Sequence, residues 1–430
     1  MKRLLGILLL AALVAGLAYG AAVTEREASY REFVSQGDAA LAREDSFAAV
    51  EAFSVAISLK ADSMAAYLKR GEAYRRRGEF DAAGRDLQRA AEIDPVAIHP
   101  RELLGDVYYA LGAANGASAQ ARFITAGDRY REAVALDDQS ARLHYKLGLA
   151  SYRSGRVSAA IAALRGAIRL DPRFPEAHYL LGVCLRAAQK TDEAVRSLER
   201  AVTLAPALLA AREELGDVYA GLRRHEARLT HLEALVALQP SAARERALGL
   251  GYARAGNFDR AVGQLALAAQ RYPDDGETYV VLGRLWLERG AAGGRVEVGK
   301  ALEALRAGVN DDSTSEAMTL FGRALLLSGD PGRAEQMLQR AATRYPVDPE
   351  AFLYLADAAQ RRGRLPLAQR ALIDYAALVT PAAIPAGLLA QIAEAHMQLG
   401  DLDAARRAIE AALTKEPGNP LATALKIRLG

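Results

Sequence analysis

Small and large apolar residues return along this chain in a fixed order. Alanine stands at Ala49, Ala83, Ala126, Ala160, Ala194, Ala227, Ala261, Ala301, Ala334, Ala368 and Ala405. Four residues later a larger group usually follows, at Phe53, Leu87, Tyr130, Leu164, Leu198, Leu265, Leu305, Leu338, Leu372 and Ile409. Three positions on, a small residue returns, as at Ala56, Ala90, Ala167, Ala201, Ala268, Ala341 and Ala412. Offsets of four and three keep these positions on one helical stripe. Proline closes the stripe at Pro95, Pro172, Pro206, Pro240, Pro273, Pro346, Pro381 and Pro417, since a ring without an N–H cannot continue a helix.

Two glycine columns precede each stripe. The first comprises Gly71, Gly105, Gly148, Gly182, Gly216, Gly249, Gly283 and Gly322, spaced by 34, 43, 34, 34, 33, 34 and 39 residues. The second lies seven residues further on, at Gly78, Gly112, Gly155, Gly256, Gly290, Gly329, Gly363 and Gly400. A glycine there reads as the left-handed stop of a first helix. The first column falls inside that helix, where glycine costs about 1 kcal/mol against alanine, so it predicts a neighbouring helix in close approach. Each period is therefore helix, turn, helix. Such units bury their apolar faces only by stacking on one another.

Glycine at the eighth position, tyrosine at the eleventh (Tyr74, Tyr108, Tyr219, Tyr252), then alanine, a large apolar residue, alanine and proline together resemble the tetratricopeptide repeat. The segment from Ala65 to Pro95 fits that pattern without a gap, and eleven units run in register from about Tyr30 to Pro417. The resemblance implies an all-α, right-handed superhelical solenoid of about eleven helix-turn-helix repeats over residues 24–417. A short final helix within residues 418–430 is expected to cap it.

Two units carry insertions, around Gly112 to Phe123 and around Gly290 to Lys300, and both are expected as loops at the turn between helices. In the sixth unit His231 takes the large apolar slot, which predicts looser packing there. The chain of 430 residues is 51% hydrophobic and 25% charged, with a formal net charge of +3, and nothing in it resembles the clustered basic face of a nucleic-acid binder.

Residues 1–23 differ from the rest. Lys2 and Arg3 precede an uncharged run from Leu4 to Val23, which reads as a signal peptide or an N-terminal membrane anchor. In either case the charge rule places the repeats outside the cytoplasm, periplasmic or anchored at the inner membrane. Membrane contact is then confined to the uncleaved N-terminal segment.

Candidate chemistry is sparse. The stretch from Gly294 to Ala301 has the G-x-x-x-x-G-K core of a phosphate loop, but Ala301 stands where Ser or Thr must hold magnesium, and no strand precedes it. His144 and His178 take the slot filled elsewhere by Tyr67 and Tyr279, which reads as packing and not as a metal site. Cys184, the single cysteine, replaces alanines such as Ala73 and Ala150 and is expected in a small core slot. No catalytic residue, cofactor site or metal site is expected.

In the family this chain resembles, the first helices line a concave groove that takes a protein or peptide partner. Positions two, five, nine, twelve and thirteen of each unit then face it. The candidate partner-binding residues are Tyr145, Tyr179 and Arg186, followed by Arg246, Arg284 and Arg323. Arginine and aromatic residues dominate interface energetics, and this set suits a flexible segment with acidic groups. The asparagines, Asn115, Asn257, Asn310 and Asn419, all read as turn residues, so a groove lined with asparagine is not expected. Export and array together point to a non-enzymatic interaction scaffold of the bacterial cell envelope. The alternative is a subunit of a surface-polysaccharide or pilus export machine, and a repeat arm of an envelope enzyme is a third reading.

Overall fold

The computed structural model describes residues 2–114, 116–290 and 294–430, with residues 2–12 as backbone. The beginning of the N-terminal segment, Asn115, and residues 291–293 of the second insertion thus lie outside the described side chains. The chain is all-α: helices follow one another from end to end, and the described residues contain no strand. It divides into two compact units, up to Val218 and from Tyr219 onward.

The first ten helices are α1 (Lys2–Ala42), α2 (Ser46–Leu59), α3 (Met64–Arg76), α4 (Phe80–Ile93), α5 (Ile98–Ala113), α6 (Ala119–Leu136), α7 (Ala141–Arg153), α8 (Val157–Leu170), α9 (Pro175–Ala187) and α10 (Thr191–Leu204). After α11 (Leu209–Gly221) come α12 (His225–Leu238), α13 (Ala242–Arg254), α14 (Phe258–Arg271), α15 (Gly276–Gly290), α16 (Arg295–Gly308), α17 (Ser315–Leu327) and α18 (Pro331–Ala342). The last five are α19 (Pro349–Arg361), α20 (Leu365–Leu378), α21 (Ala386–Gln398), α22 (Leu402–Lys415) and α23 (Pro420–Leu429).

The apolar stripe lies on the even-numbered helices and is fully buried, as at Ala83, Leu87 and Ala90 of α4 and Ala194, Leu198 and Ala201 of α10. The first glycine column receives it at every position but Gly216. A Cβ added at Gly71 would stand 2.8 Å from Leu87, at Gly148 2.7 Å from Leu164, and at Gly182 2.5 Å from Leu198. Gly37, one period before Gly71, meets Phe53 in the same way and extends the column backward.

Helices α4, α8, α10, α12, α14 and α22 each end two residues before a proline. The residue between is extended (Asp94 at φ −125°, ψ 93°; Asp171 at φ −132°, ψ 95°), because the proline ring crowds the helical conformation out of it. Ser63, Ser140, Ser241 and Thr314 then accept a hydrogen bond from an amide of the next first turn, satisfying a donor the helix leaves open.

At the turn within a repeat, Gly78, Gly155, Gly256, Gly329, Gly363 and Gly400 have φ between 71° and 85°. The following amide reaches back to the helix, Glu79 to the Tyr74 carbonyl at 2.9 Å and Arg156 to that of Ser151 at 2.8 Å, which is the Schellman closure. Three repeats make the same turn without glycine, at Glu44, Gln189 and Arg223.

Gly112 and Gly290 do not make it. Gly112 lies within α5 against Phe123, and Gly290 is the last residue of α15 against Val298. The reason is that the first insertion is mostly helix: α5 has 16 residues and α6 has 18, against 13 in α7 and 14 in α8. The expected loop therefore shrinks to the few residues between Ala113 and Ala119. In the second insertion α15 has 15 residues and α16 begins at Arg295. In the sixth unit the His231 ring stacks on Tyr219, with centroids 5.7 Å apart.

At the N-terminus α1 runs without interruption from Lys2 into the first repeat. Leu13, Val14, Leu17, Tyr19 and Val23 are 48–74% exposed along it. Among the described residues no helix is long and apolar enough to cross a membrane. At the other end α23 packs on α21 and α22 and buries Leu425.

Candidate functional site

Within each unit, odd-numbered helices touch across successive repeats: α1 with α3, α3 with α5 and α7 with α9 in the first, α13 with α15, α15 with α17 and α17 with α19 in the second. Successive even helices make no comparable contact among the described residues. The odd helices therefore form the tighter face of each unit, and the predicted site residues are on it. Tyr145, Tyr179 and Arg186 belong to α7 and α9 of the first unit; Arg246, Arg284 and Arg323 belong to α13, α15 and α17 of the second.

The arginines are engaged between repeats. Arg246 lies 2.5 Å from both Asp275 and Glu277, and Arg284 lies 2.7 Å from Glu316. Arg323 stands over the Tyr354 ring at 5.7 Å. Arg186 comes within 2.6 Å of Glu214, but the oxygen it meets makes no aligned hydrogen bond, and burial raises the Glu214 pKa despite that cation. Each of these ties one odd helix to the next.

The tyrosines are less engaged. Tyr145 and Tyr179 are half-buried, and a third phenol, Tyr109 of α5, joins them one repeat earlier. Burial raises all three above the ordinary phenol range, and no hydrogen bond holds any of the three hydroxyls among the described residues. Between Tyr109 and Tyr145 lies a cavity of about 360 Å³, walled by Tyr130, Leu149 and Phe174 as well. The Tyr145 and Phe174 rings pack at 4.9 Å between centroids, and Phe123 meets Tyr109 edge-on at 5.2 Å.

Charge at the cavity floor is balanced. Lys146 donates to Glu102 and to Asp106, each at 2.7 Å, and the Tyr130 hydroxyl donates to Asp106 at 2.7 Å. His99, 3.8 Å away, together with Lys146 and Arg142, holds the Glu102 carboxyl down at about 2 although burial opposes it. On the rim, Arg142 is 72% exposed and 3.5 Å from Glu102. Arg153, also exposed, lies over Phe123 at 5.0 Å.

Of the residues at this cavity, position in the repeat singles out Tyr145 as a candidate, but not Tyr109, Tyr130, Phe123 or Phe174. The insertion was the available signal, because its helical extension brings Phe123 against Tyr109. Tyr130 was read as the large core residue, which it also is, at 3% exposure.

The histidine rings are tied locally, His144 to the Asp138 carbonyl at 3.2 Å and His178 to that of Pro172 at 3.1 Å. Among the described residues no cluster of three or more metal-ligating side chains occurs. Cys184 is fully buried, and burial pushes its thiol up to about 12.

A tetratricopeptide repeat model matches residues 34–98, 111–173, 145–208 and 319–385, and a second such model matches 386–429. No curated protein matches the chain. Among solved structures it is similar to MamA, with 25% identity over 40% of this chain and 96% of that one, at a TM-score of 0.37. It is also similar to YrrB, described as a TPR protein with an unusual peptide-binding site, with 22% identity over 45% and 96% of the two chains and a TM-score of 0.39. The third is PilF of Pseudomonas aeruginosa, with 21% identity over 49% and 92%, at a TM-score of 0.39.

Proposed function

The chain belongs to the tetratricopeptide repeat family, and from that premise we propose that it is a non-enzymatic scaffold of the bacterial cell envelope which holds a peptide or protein segment against its odd-helix face. The observation that carries this reading is the row of half-buried tyrosines, Tyr109, Tyr145 and Tyr179, whose hydroxyls have no hydrogen-bond partner among the described residues. Such groups offer apolar area together with a polar tip, the combination enriched at interfaces. Partner contact is assigned to Tyr145 and Tyr179. For Arg186, Arg246, Arg284 and Arg323, a segment bearing carboxylates would have to displace the neighbours they now engage.

The envelope part rests on Lys2, Arg3 and the uncharged run to Val23, supported by the exposed apolar side chains of residues 13–23. A photo-crosslinking side chain placed at Tyr179 is expected to capture a partner in cells, whereas one at Arg89 on an even helix is not. Capture from Arg89 alone would remove the odd-face assignment. Fractionation with N-terminal sequencing tests the address: recovery of the uncleaved chain in the cytosol would sink it.

A further inference from the structure

The cavity between α5 and α7 has a shape and a charge pattern that define an occupant. Its volume of about 360 Å³ is near the lower end of the roughly 300–1,000 Å³ of small-molecule sites, room for one or two side chains. Tyr109, Tyr145, Leu149 and Phe174 give it apolar walls. Asp106 lines it, and Glu102 stands behind; these two acids are paired with Lys146 and Arg142, so a charged side chain would lose hydration there without gaining a free counter-charge.

The rim differs. Arg153 is exposed, its guanidinium lies on Phe123, and no carboxylate stands beside it among the described residues. Its charge reaches Tyr109, lowering a phenol that burial raises. Along α7, Tyr145 and Arg153 are separated by about 12 Å at ~1.5 Å per residue, a span that about three or four extended residues cover. The exposed carboxylate of Glu176 is near enough to Tyr145 to raise its phenol further.

We infer that this cavity is an anchor site for an extended peptide segment: an aromatic or leucine-like side chain enters between Tyr109 and Tyr145, and an Asp or Glu about three or four positions away meets Arg153. The inference rests on the odd-face reading and specifies one site on it. The Tyr109 and Tyr145 hydroxyls, without a hydrogen bond among the described residues, then serve the peptide backbone, which has donors and acceptors along its length. The insertion in this repeat gains a role, since Phe123 supports both Tyr109 and Arg153.

The test uses the full chain in detergent, panned against a phage library of random dodecapeptides, with selected peptides then titrated by fluorescence anisotropy. Enriched peptides are expected to share an aromatic residue or leucine with an acid within about four positions. Their binding is expected to weaken tenfold or more on Leu149→Trp, which fills the cavity, and threefold or more on Arg153→Glu. Replacing the anchor of the peptide by alanine must cost as much on the wild-type chain, a result independent of how the variant folds. Selected peptides that bind Leu149→Trp undiminished but lose affinity to Tyr179→Ala, outside the cavity, would overturn the anchor site and leave the odd-face reading standing. Enrichment of peptides without an anchor would overturn it too, and no enrichment at all would overturn both.

Discussion

A single added methyl group distinguishes the glycines of this chain. At Gly182 it would stand 2.5 Å from Leu198, whereas at Gly84, in the interior of α4, nothing lies within 4 Å. Gly182→Ala is therefore expected to destabilise by about 1–3 kcal/mol through overpacking, only partly offset by the ~1 kcal/mol of helix propensity gained. Gly84→Ala should stabilise by about 0.5–1 kcal/mol. Urea denaturation of the two variants checks both signs, and equal shifts would refute the packing reason. Gln189 gives a third residue-level expectation. It holds φ 59° without being glycine, so Gln189→Gly should stabilise by about 1 kcal/mol, the lower end of the left-handed penalty. At this scale the sequence was legible where spacing was constant. It misled at Gly112 and Gly290, because α5 runs past the one and α15 runs on to include the other.

Between helices, the repeats are joined by ion pairs as well as by apolar stripes. Lys69 pairs with Asp38 and Lys146 with Asp106, in both cases across one odd helix to the previous one. A period in apolar residues reveals which helices pack, but which charges meet depends on side-chain reach across repeats. That is why Arg246, Arg284 and Arg323, partner-binding candidates by their position in the repeat, also engage neighbouring acids and a ring that the period does not reveal. Glu102 makes the coupling measurable. Its folded pKa is about 2, below the 4.5 of a free carboxyl, so its contribution is present above pH 4.5 and lost as pH falls toward 2. Glu102→Gln is expected to flatten the fall of stability between those limits, measured by denaturant unfolding at successive pH values. An unchanged slope would show that Glu102 is not the titrating group.

For the whole chain, most contacts join a helix to its sequence neighbours, and two compact units each have their own core. Stability in such arrays is close to a sum of repeat and neighbour terms. Heat unfolding should therefore depart from two-state behaviour, with a calorimetric enthalpy larger than the van't Hoff value; equal enthalpies would indicate one cooperative block. The periodic architecture was readable over nearly the full length, since every unit repeats the same solution. The tyrosine cavity was not, because its lining combines α5, α6, α7 and Phe174 before α9 and lies beside an insertion that breaks the period. The N-terminal helix has a consequence of a different kind. Because α1 is continuous from the apolar stretch into the first repeat, rotation is transmitted along it: one residue inserted between Thr24 and Ala28 would turn the direction in which Leu17 points by about 100° relative to Phe33 and advance it by ~1.5 Å. The length of that connection is thereby a phase as well as a distance.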